Sequence, residues 1–198
     1  LSAGVTFLSE EGNEHIINFP MIVLDPIDGT EGLVKNNGEC CISFCYLNSA
    51  SVGDPLNYAW IYNPFTGLEV STESITSDAN LPISKVQSTC NVFVSRKEWE
   101  SGQHNELRSC SDFAVAPVGS IAFKLALMAT GACHMILSKK PKRIWDIAAG
   151  TVLLNSRGVQ GYSQGKKTLE LNELKYEPDL VWASEEIYQL YSNLKKTV

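Results

Sequence analysis

The spacing of apolar positions changes repeatedly along the chain, and each change predicts an element. Short apolar runs, alternating or continuous, predict strands at residues 5–8, 21–24, 40–47, 58–62, 68–72, 92–95, 113–116 and 135–137. Three longer stretches with a period between three and four predict helices at residues 120–130, 145–155 and 184–196. In the last, Ser184 is placed as N-cap, Glu185 and Glu186 fill the first turn, Ile187, Leu190, Tyr191 and Leu194 share one face, and Lys195 and Lys196 close it. It reads as surface scaffold. The segment 120–130, SIAFKLALMAT, is apolar nearly all round except for Lys124 and should be buried on most sides. Asn63-Pro64-Phe65-Thr66-Gly67, set between two strands, predicts a hairpin loop. Strands and helices in alternation predict an α/β or α+β chain. The polar stretch 73–89 is the expected boundary between an N-terminal lobe (1–85) and a C-terminal lobe (86–198).

Composition narrows the classes. With 198 residues, 44% of them hydrophobic and 19% charged, the chain can bury a sizeable core and does not read as disordered. No run approaches the roughly 18 apolar residues of a membrane span, and LSAGVTFLSEEG lacks a signal-peptide layout; a soluble, cytoplasmic protein is expected. The net charge of −6, with no basic run longer than KKPKR at 139–143, argues against a nucleic-acid polymer as partner. An anionic ligand would need a local source of positive charge. Cys40, Cys41, Cys45, Cys90, Cys110 and Cys133 show no zinc spacing and read as buried, reduced thiols. His15, His104 and His134 show no metal spacing either and are assigned no role.

Three acidic clusters carry the candidate chemistry. Ser9-Glu10-Glu11-Gly12 follows a strand; a helix-cap reading fails because no apolar helical run comes after it. Asp25-Pro26-Ile27-Asp28-Gly29-Thr30 comes off the apolar strand at 21–24. A bare Asp-Gly is usually only a turn. Here, however, two carboxylates flank a stiffening proline at the carboxyl end of a buried strand, where open α/β sheets bind ligands. Such a pair suits hard divalent cations. Gly29 permits close backbone approach, and the amides of Gly29 and Thr30, opening a short helix, could receive a phosphate. In Trp145-Asp146-Ile147-Ala148-Ala149-Gly150, an aspartate in the first helical turn is ordinary dipole compensation when taken alone. The alanines and glycine add a thin helix face for close packing, and Trp145 adds an anchor. A pinned aspartate could form a third wall of a metal site.

LSEE, LDPIDGT, GSIAFK about 90 residues later, and IWDIAAG occur in an order and spacing that resembles the inositol monophosphatase superfamily, which includes 3'(2'),5'-bisphosphate nucleotidases and some fructose bisphosphatases. The match runs from about Val5 to the end of the chain. The resemblance implies an α/β fold of the layered sugar-phosphatase kind, with alternating sheets and helices. It also implies a Mg2+-dependent phosphomonoesterase acting on a small phosphorylated metabolite. Glu10, Asp25, the Ile27 carbonyl, Asp28 and Asp146 would hold two or three Mg2+ ions, with Glu11 as nearby support. Thr30 would help activate the attacking water, which makes Thr30, Asp28 and Glu10 the catalytic candidates. The amides of Gly29 and Thr30 would hold the phosphate, and Gly119, Ser120, Lys124 and Asp146 complete the substrate-binding set.

Substrate choice stays open between an inositol phosphate and a bisphosphorylated nucleotide. Lys124 either pairs with a second phosphate or snorkels from a buried helix. The segment Val94-Ser95-Arg96-Lys97-Glu98 resembles a stretch of the nucleotidases, but Glu98 stands where they carry a histidine. Relatives carry a longer segment before the Glu-Glu motif, with helices that cover the active site. The expectation is therefore a fragment of a longer product, and a true absence would leave a core face exposed and catalysis impaired. The relatives are often dimers, which makes a homodimer the assembly to test. The rival reading from another class is a non-catalytic homologue, a metal- or phosphate-binding module or interaction subunit.

Overall fold

In this computed structural model, which describes residues 4–12, 16–74, 89–163, 166–167 and 169–197, the alternating runs of the first half become one sheet. It contains β1 (Thr6–Ser9), β2 (Met21–Asp28), then, after the short helix α1 (Thr30–Val34), β3 (Cys41–Leu47), β4 (Tyr58–Tyr62) and β5 (Glu69–Ser71), arranged across the sheet in chain order. β1 and β2 are parallel and the remaining pairs antiparallel. Met21, Val23, Cys45, Ala59 and Ile61 point into the core, whereas Ile22, Leu24, Phe44, Tyr58, Trp60 and Tyr62 lie half-buried on the opposite face. The strands therefore keep a strict period of two. Small inward side chains at Ser43, Cys45 and Ala59 leave room for a helix. Residues 63–67 form the hairpin loop, with the Asn63 side chain accepting from the amides of Phe65 and Thr66.

β2 corrects the sequence expectation at its end. It does not stop at Leu24 but continues through the acidic motif to Asp28, and its register against β3 slips on the way. Asp25 pairs with Ser43 and Asp28 with Cys41, so three steps on β2 match two on β3. Side chains three residues apart on a regular strand point to opposite faces. The one-residue bulge cancels that, and Pro26, which has no amide to give to the ladder, sits inside it.

The second half supplies β6 (Cys90–Val94), α2 (Arg96–Glu100), α3 (Asn105–Arg108), β7 (Phe113–Pro117), α4 (Ile121–Ala129), β8 (Met135–Ser138), β9 (Lys142–Arg143), α5 (Ile144–Asn155), β10 (Gln160–Ser163), β11 (Lys166–Lys167), β12 (Lys175–Tyr176), β13 (Leu180–Ala183) and α6 (Glu185–Thr197). Six strands form a mixed sheet in the order β11-β10-β13-β8-β6-β7, and β9 pairs with β12 in a separate ribbon. The three long helices fall where the apolar spacing predicts them. The short elements α2, α3, β9, β10, β11, β12 and β13 have too few residues to show a period. Residues 75–88, which contain most of the expected lobe boundary, lie outside the described residues, and that boundary stays a proposal.

The layers follow from which faces are apolar. Buried residues of the first sheet, of α4 and α5, and of one face of the second sheet (Ile136, Leu180, Trp182) form one continuous core. The other face of the second sheet packs Val92, Met135 and Val181 against Ile187 and Tyr191 of α6. Sheet, helix pair, sheet and helix thus alternate, a layered α/β architecture. Among the described residues, no helix is long and apolar enough to cross a membrane. All six cysteines are free; five are buried as expected, whereas Cys110 is only partly so.

α4 and α5 meet closely because Gly150 has no side chain: a Cβ there would come within 2.3 Å of Leu125 Cβ and 2.5 Å of its Cδ1. Gly150→Ala should therefore destabilise the protein by about 1–3 kcal/mol, the usual cost of overpacking, even though alanine favours a helix by about 1 kcal/mol over glycine. Urea denaturation measures the balance. A midpoint unchanged or raised in the variant contradicts the contact.

Candidate active site

A cavity of about 460 Å³ opens where the bulge of β2, α1, α2, the start of α4 and the start of α5 converge. Its wall includes Glu10, Asp25, Ile27, Asp28, Gly29, Thr30, Gly119, Ser120, Lys124 and Asp146, so all ten site residues named from sequence come to one place. Glu11 is exposed and not on that wall. Asp25, Asp28 and Asp146 form the tightest group, each presenting a carboxylate oxygen within 4.8 Å of the others. Glu10 stands outside this trio, on the exposed turn after β1.

Each of the three aspartates is tied to backbone. Asp25 Oδ1 accepts from Ile27 N–H at 2.9 Å, and Asp146 Oδ2 accepts from Arg143 N–H at 2.8 Å, closing the first turn of α5. Asp28 Oδ2 accepts from Ala122 N–H at 2.6 Å and from the Ser120 hydroxyl. Ser120 Oγ in turn accepts from Phe123 N–H at 3.0 Å as the N-cap of α4. Asp28 therefore joins the first sheet to that helix. Ser120 has a φ of 47°, a conformation that costs a non-glycine residue energy and persists only where the surroundings impose it.

Electrostatics mark the trio as strained without a cation. Burial, then the charges of Asp28 and Glu10, push the Asp25 carboxyl up to about 8. Burial and the Asp28 charge push Asp146 up to about 7. Asp28 is also raised, because burial outweighs the Ser120 and Ala122 hydrogen bonds. Clustered oxygen ligands whose ionised forms repel are what a hard divalent cation relieves, so the donor set fits such an ion. Lys124 is buried, donates to the Val118 carbonyl at 3.0 Å, and is pushed down to about 8, chiefly by burial.

Sequence reasoning missed Glu39. Its carboxylate accepts from Gly119 N–H at 3.0 Å and from Arg96 Nε at 2.9 Å, with a second Arg96 contact beside it. These bonds, against the opposing effect of burial, hold Glu39 below the usual carboxylate range. A Cβ on Gly29 would lie 2.5 Å from the Glu39 carbonyl oxygen, one on Gly32 2.4 Å from it, and one on Gly119 2.7 Å from Glu39 Oε2. Gly29 has a φ of +91° as well, so glycine is required there twice over. Nothing in Asn37-Gly38-Glu39-Cys40 signals this role, because the partners are about 60 and 80 residues away. Lys142, on the β9 edge of the cavity, was likewise legible only as part of a basic run. Of the histidines, His104 is buried beside Glu98 and His134 accepts from Asn91 N–H at 2.9 Å; neither belongs to the carboxylate trio. His15 lies outside the described residues.

Comparison with known proteins gives three kinds of match. The model of the inositol monophosphatase family matches residues 3–192. The 3'(2'),5'-bisphosphate nucleotidase CysQ of Escherichia coli K12 is 24% identical over 155 residues, 73% of this chain and 59% of that protein. The fructose-1,6-bisphosphatase/inositol-1-monophosphatase of Archaeoglobus fulgidus is 24% identical over 177 residues, 85% of this chain and 68% of that one. The chain thus spans about three fifths of the CysQ length. Among solved structures, staphylococcal IMPase-I complexed with products superposes with a TM-score of 0.77 at 18% identity, covering 96% of this chain and 72% of that one, a likeness of fold.

The raised carboxyls make stability depend on pH in a definite direction. Asp25 and Asp146 keep their protons in the folded chain up to about 8 and about 7, whereas the ordinary value is 3.8. Their contribution is complete below that ordinary value and is lost as pH rises through the folded values. In chelator, urea denaturation should show stability falling between about pH 4 and pH 8. Asp25→Asn, which cannot ionise, should fall less steeply, and millimolar Mg2+ should restore the wild type at pH 8. Equal slopes for the wild type and Asp25→Asn would refute the assignment.

Proposed function

The chain belongs to the inositol monophosphatase family, and from that premise we propose that it is a Mg2+-dependent phosphomonoesterase of a small phosphorylated metabolite. The observation that carries this reading is the convergence of Asp25, Asp28 and Asp146, within 4.8 Å, on the wall of a metabolite-sized cavity. A scaffold has no use for clustered carboxylates that repel one another. That weighs against an interaction subunit that kept only the fold.

Asp25, Asp28 and Asp146, with Glu10 and the Ile27 carbonyl, would hold two or three Mg2+ ions. When bound, magnesium supplies charge neutralisation at the phosphoryl oxygens and a water that loses its proton near neutral pH. The chain's own residues then orient the ester. Gly29 and Thr30 offer backbone N–H groups to the phosphate, and the Thr30 hydroxyl, at the same edge of the cavity, orients the attacking water. Glu39 fixes Gly119, and Asp28 fixes Ser120, so both reach the non-reacting part of the substrate from a rigid wall. Buried Lys124 and neighbouring Lys142 give that wall two ammonium groups, which favours a metabolite with a second anionic group, as in a bisphosphorylated nucleotide, over inositol phosphate. Free, buried thiols fit a reducing, cytoplasmic setting. A homodimer is the assembly proposed by likeness to the family.

Phosphate release from 3'-phosphoadenosine 5'-phosphate and from inositol 1-phosphate tests the reading directly. Turnover should require Mg2+ and favour the nucleotide. Asp25→Asn and Asp146→Asn should stay folded, bind Mg2+ more weakly, and lose about two orders of magnitude or more in kcat, the scale on which removing one preorganised electrostatic contact is felt. Full activity in either variant would place the site elsewhere.

A further inference from the structure

Glu98 is in α2, and its neighbours Ser95, Arg96, Lys97 and Glu100 all line the cavity, but Glu98 does not. It turns inward and is fully buried, as is His104. His104 Nε2 donates to Glu98 Oε2 at 3.0 Å, and the same oxygen accepts from Lys139 N–H at 3.1 Å. These bonds, against the penalty of burial, hold Glu98 below the usual carboxylate range. Glu98 Oε1 and His104 Nδ1 face no hydrogen-bond partner among the described residues. A buried pair that leaves two polar atoms unsatisfied is a poor source of stability, because apolar side chains of similar volume would fill the space at lower cost. Its presence calls for another explanation.

Lys139 begins the loop that leads to the site. Its ammonium is held by Glu106 at 3.3 Å and Asp179 at 3.4 Å, while its backbone N–H is held by Glu98. Only Lys140 and Pro141 separate it from Lys142, and proline allows the chain little freedom. Downstream, β9 pairs with β12, and Arg143 N–H is committed to Asp146. The loop is therefore held at Lys139 and again at β9, whose first residue, Lys142, pairs with Tyr176 and lies on the cavity wall. Among the described residues Lys142 makes no ion pair, although the charges of Asp28, Lys124 and Glu98 all lie close enough to interact with it.

We propose that the Glu98–His104 pair is a positioning device: it locks the loop at Lys139 so that Lys142 meets the second anionic group of the substrate. This rests on reading the cavity as a phosphate-ester site. Glu98 and His104 never touch the ligand; Lys142 does.

The test uses the full chain with Mg2+, two probes (3'-phosphoadenosine 5'-phosphate and the single-phosphate ester p-nitrophenyl phosphate) and the variants Glu98→Gln, Lys142→Gln and their combination. Glu98→Gln and Lys142→Gln should each raise KM for the bisphosphate about tenfold, the scale of one hydrogen bond to a charged group, and by a clearly smaller factor for p-nitrophenyl phosphate. In the double variant the two effects should not add, because both remove one contact. A purely structural role predicts instead that KM rises alike for both probes, or that the effects add, and either result overturns the proposal. If Glu98→Gln fails to fold, Lys142→Gln at the cavity edge still decides: an unchanged KM for the bisphosphate overturns it. If the wild type hydrolyses neither probe, the phosphatase reading fails separately. The same pattern is then sought in calorimetric affinities for the bisphosphate, where its absence overturns the positioning role.

Discussion

The structure depends on keeping Asp25, Asp28 and Asp146 together against their own repulsion. At separations of 4.8 Å or less, two ionised carboxylates repel by at least about 3.5 kcal/mol at an effective dielectric constant of about 20. Three such pairs are a large burden for a domain whose net stability is typically about 5–15 kcal/mol. The fold tolerates it in two ways. Part of the repulsion is avoided because burial keeps protons on Asp25 and Asp146 near neutral pH. The rest is opposed by backbone: one oxygen of each aspartate is tied to an N–H group in its own loop or at the start of a helix. A carboxylate has lone pairs to spare after one such bond, so anchoring does not use up its capacity as a ligand.

That constraint organises the rest of the architecture. Asp25 and Asp28 share a face only because β2 carries an extra residue between them. Asp146 reaches the same place because α5 lies on the inner face of the first sheet, where Ser43 Oγ donates to the Trp145 carbonyl at 3.3 Å. α4 must be there too, since its Ala122 amide and the hydroxyl of its N-cap Ser120 are the donors that hold Asp28. Gly150 lets α4 and α5 approach closely, and Gly29, Gly32 and Gly119 make room for Glu39, whose bond to Arg96 ties the cavity rim to α2. The glycines of the site are thus packing requirements, each with an identified neighbour.

Much of this was legible in sequence, and the reasons differ by residue. Helices at Ile121–Ala129, Ile144–Asn155 and Glu185–Thr197 announced themselves because they are long enough for a period to show. The ten cavity residues could be named because acidic motifs at strand and helix ends have few structural uses, and because their order resembles a family pattern. The bulge in β2 was not legible: a strand interrupted by proline reads as a strand that ends, and only the register against β3 shows that it resumes. Glu39 was missed for a related reason. Its partners come from distant segments, and no local pattern distinguishes a glutamate after a turn from a solvated one. Glu98 was noticed only as a departure from that pattern, and what it bonds instead depends on Lys139, 41 residues on.

The charge of the cavity wall bears on how an anion could be received. Seven carboxylates (Glu10, Asp25, Asp28, Glu31, Glu39, Glu100 and Asp146) face five cations (Lys35, Arg96, Lys97, Lys124 and Lys142). Glu31 pairs with Lys35 and Lys97, and Glu39 with Arg96, so the cations nearest α1 and α2 are already engaged. Burial keeps protons on Asp25 and Asp146 near neutral pH, so without a cation these two add little negative charge to the wall that Lys124 and Lys142 share. Divalent ions at the aspartates would displace those protons and make the wall more positive, in a protein whose overall charge is −6. The same carboxylates whose ionisation costs the cation-free fold stability would give up their protons to a bound cation, so proton release and ion binding are linked.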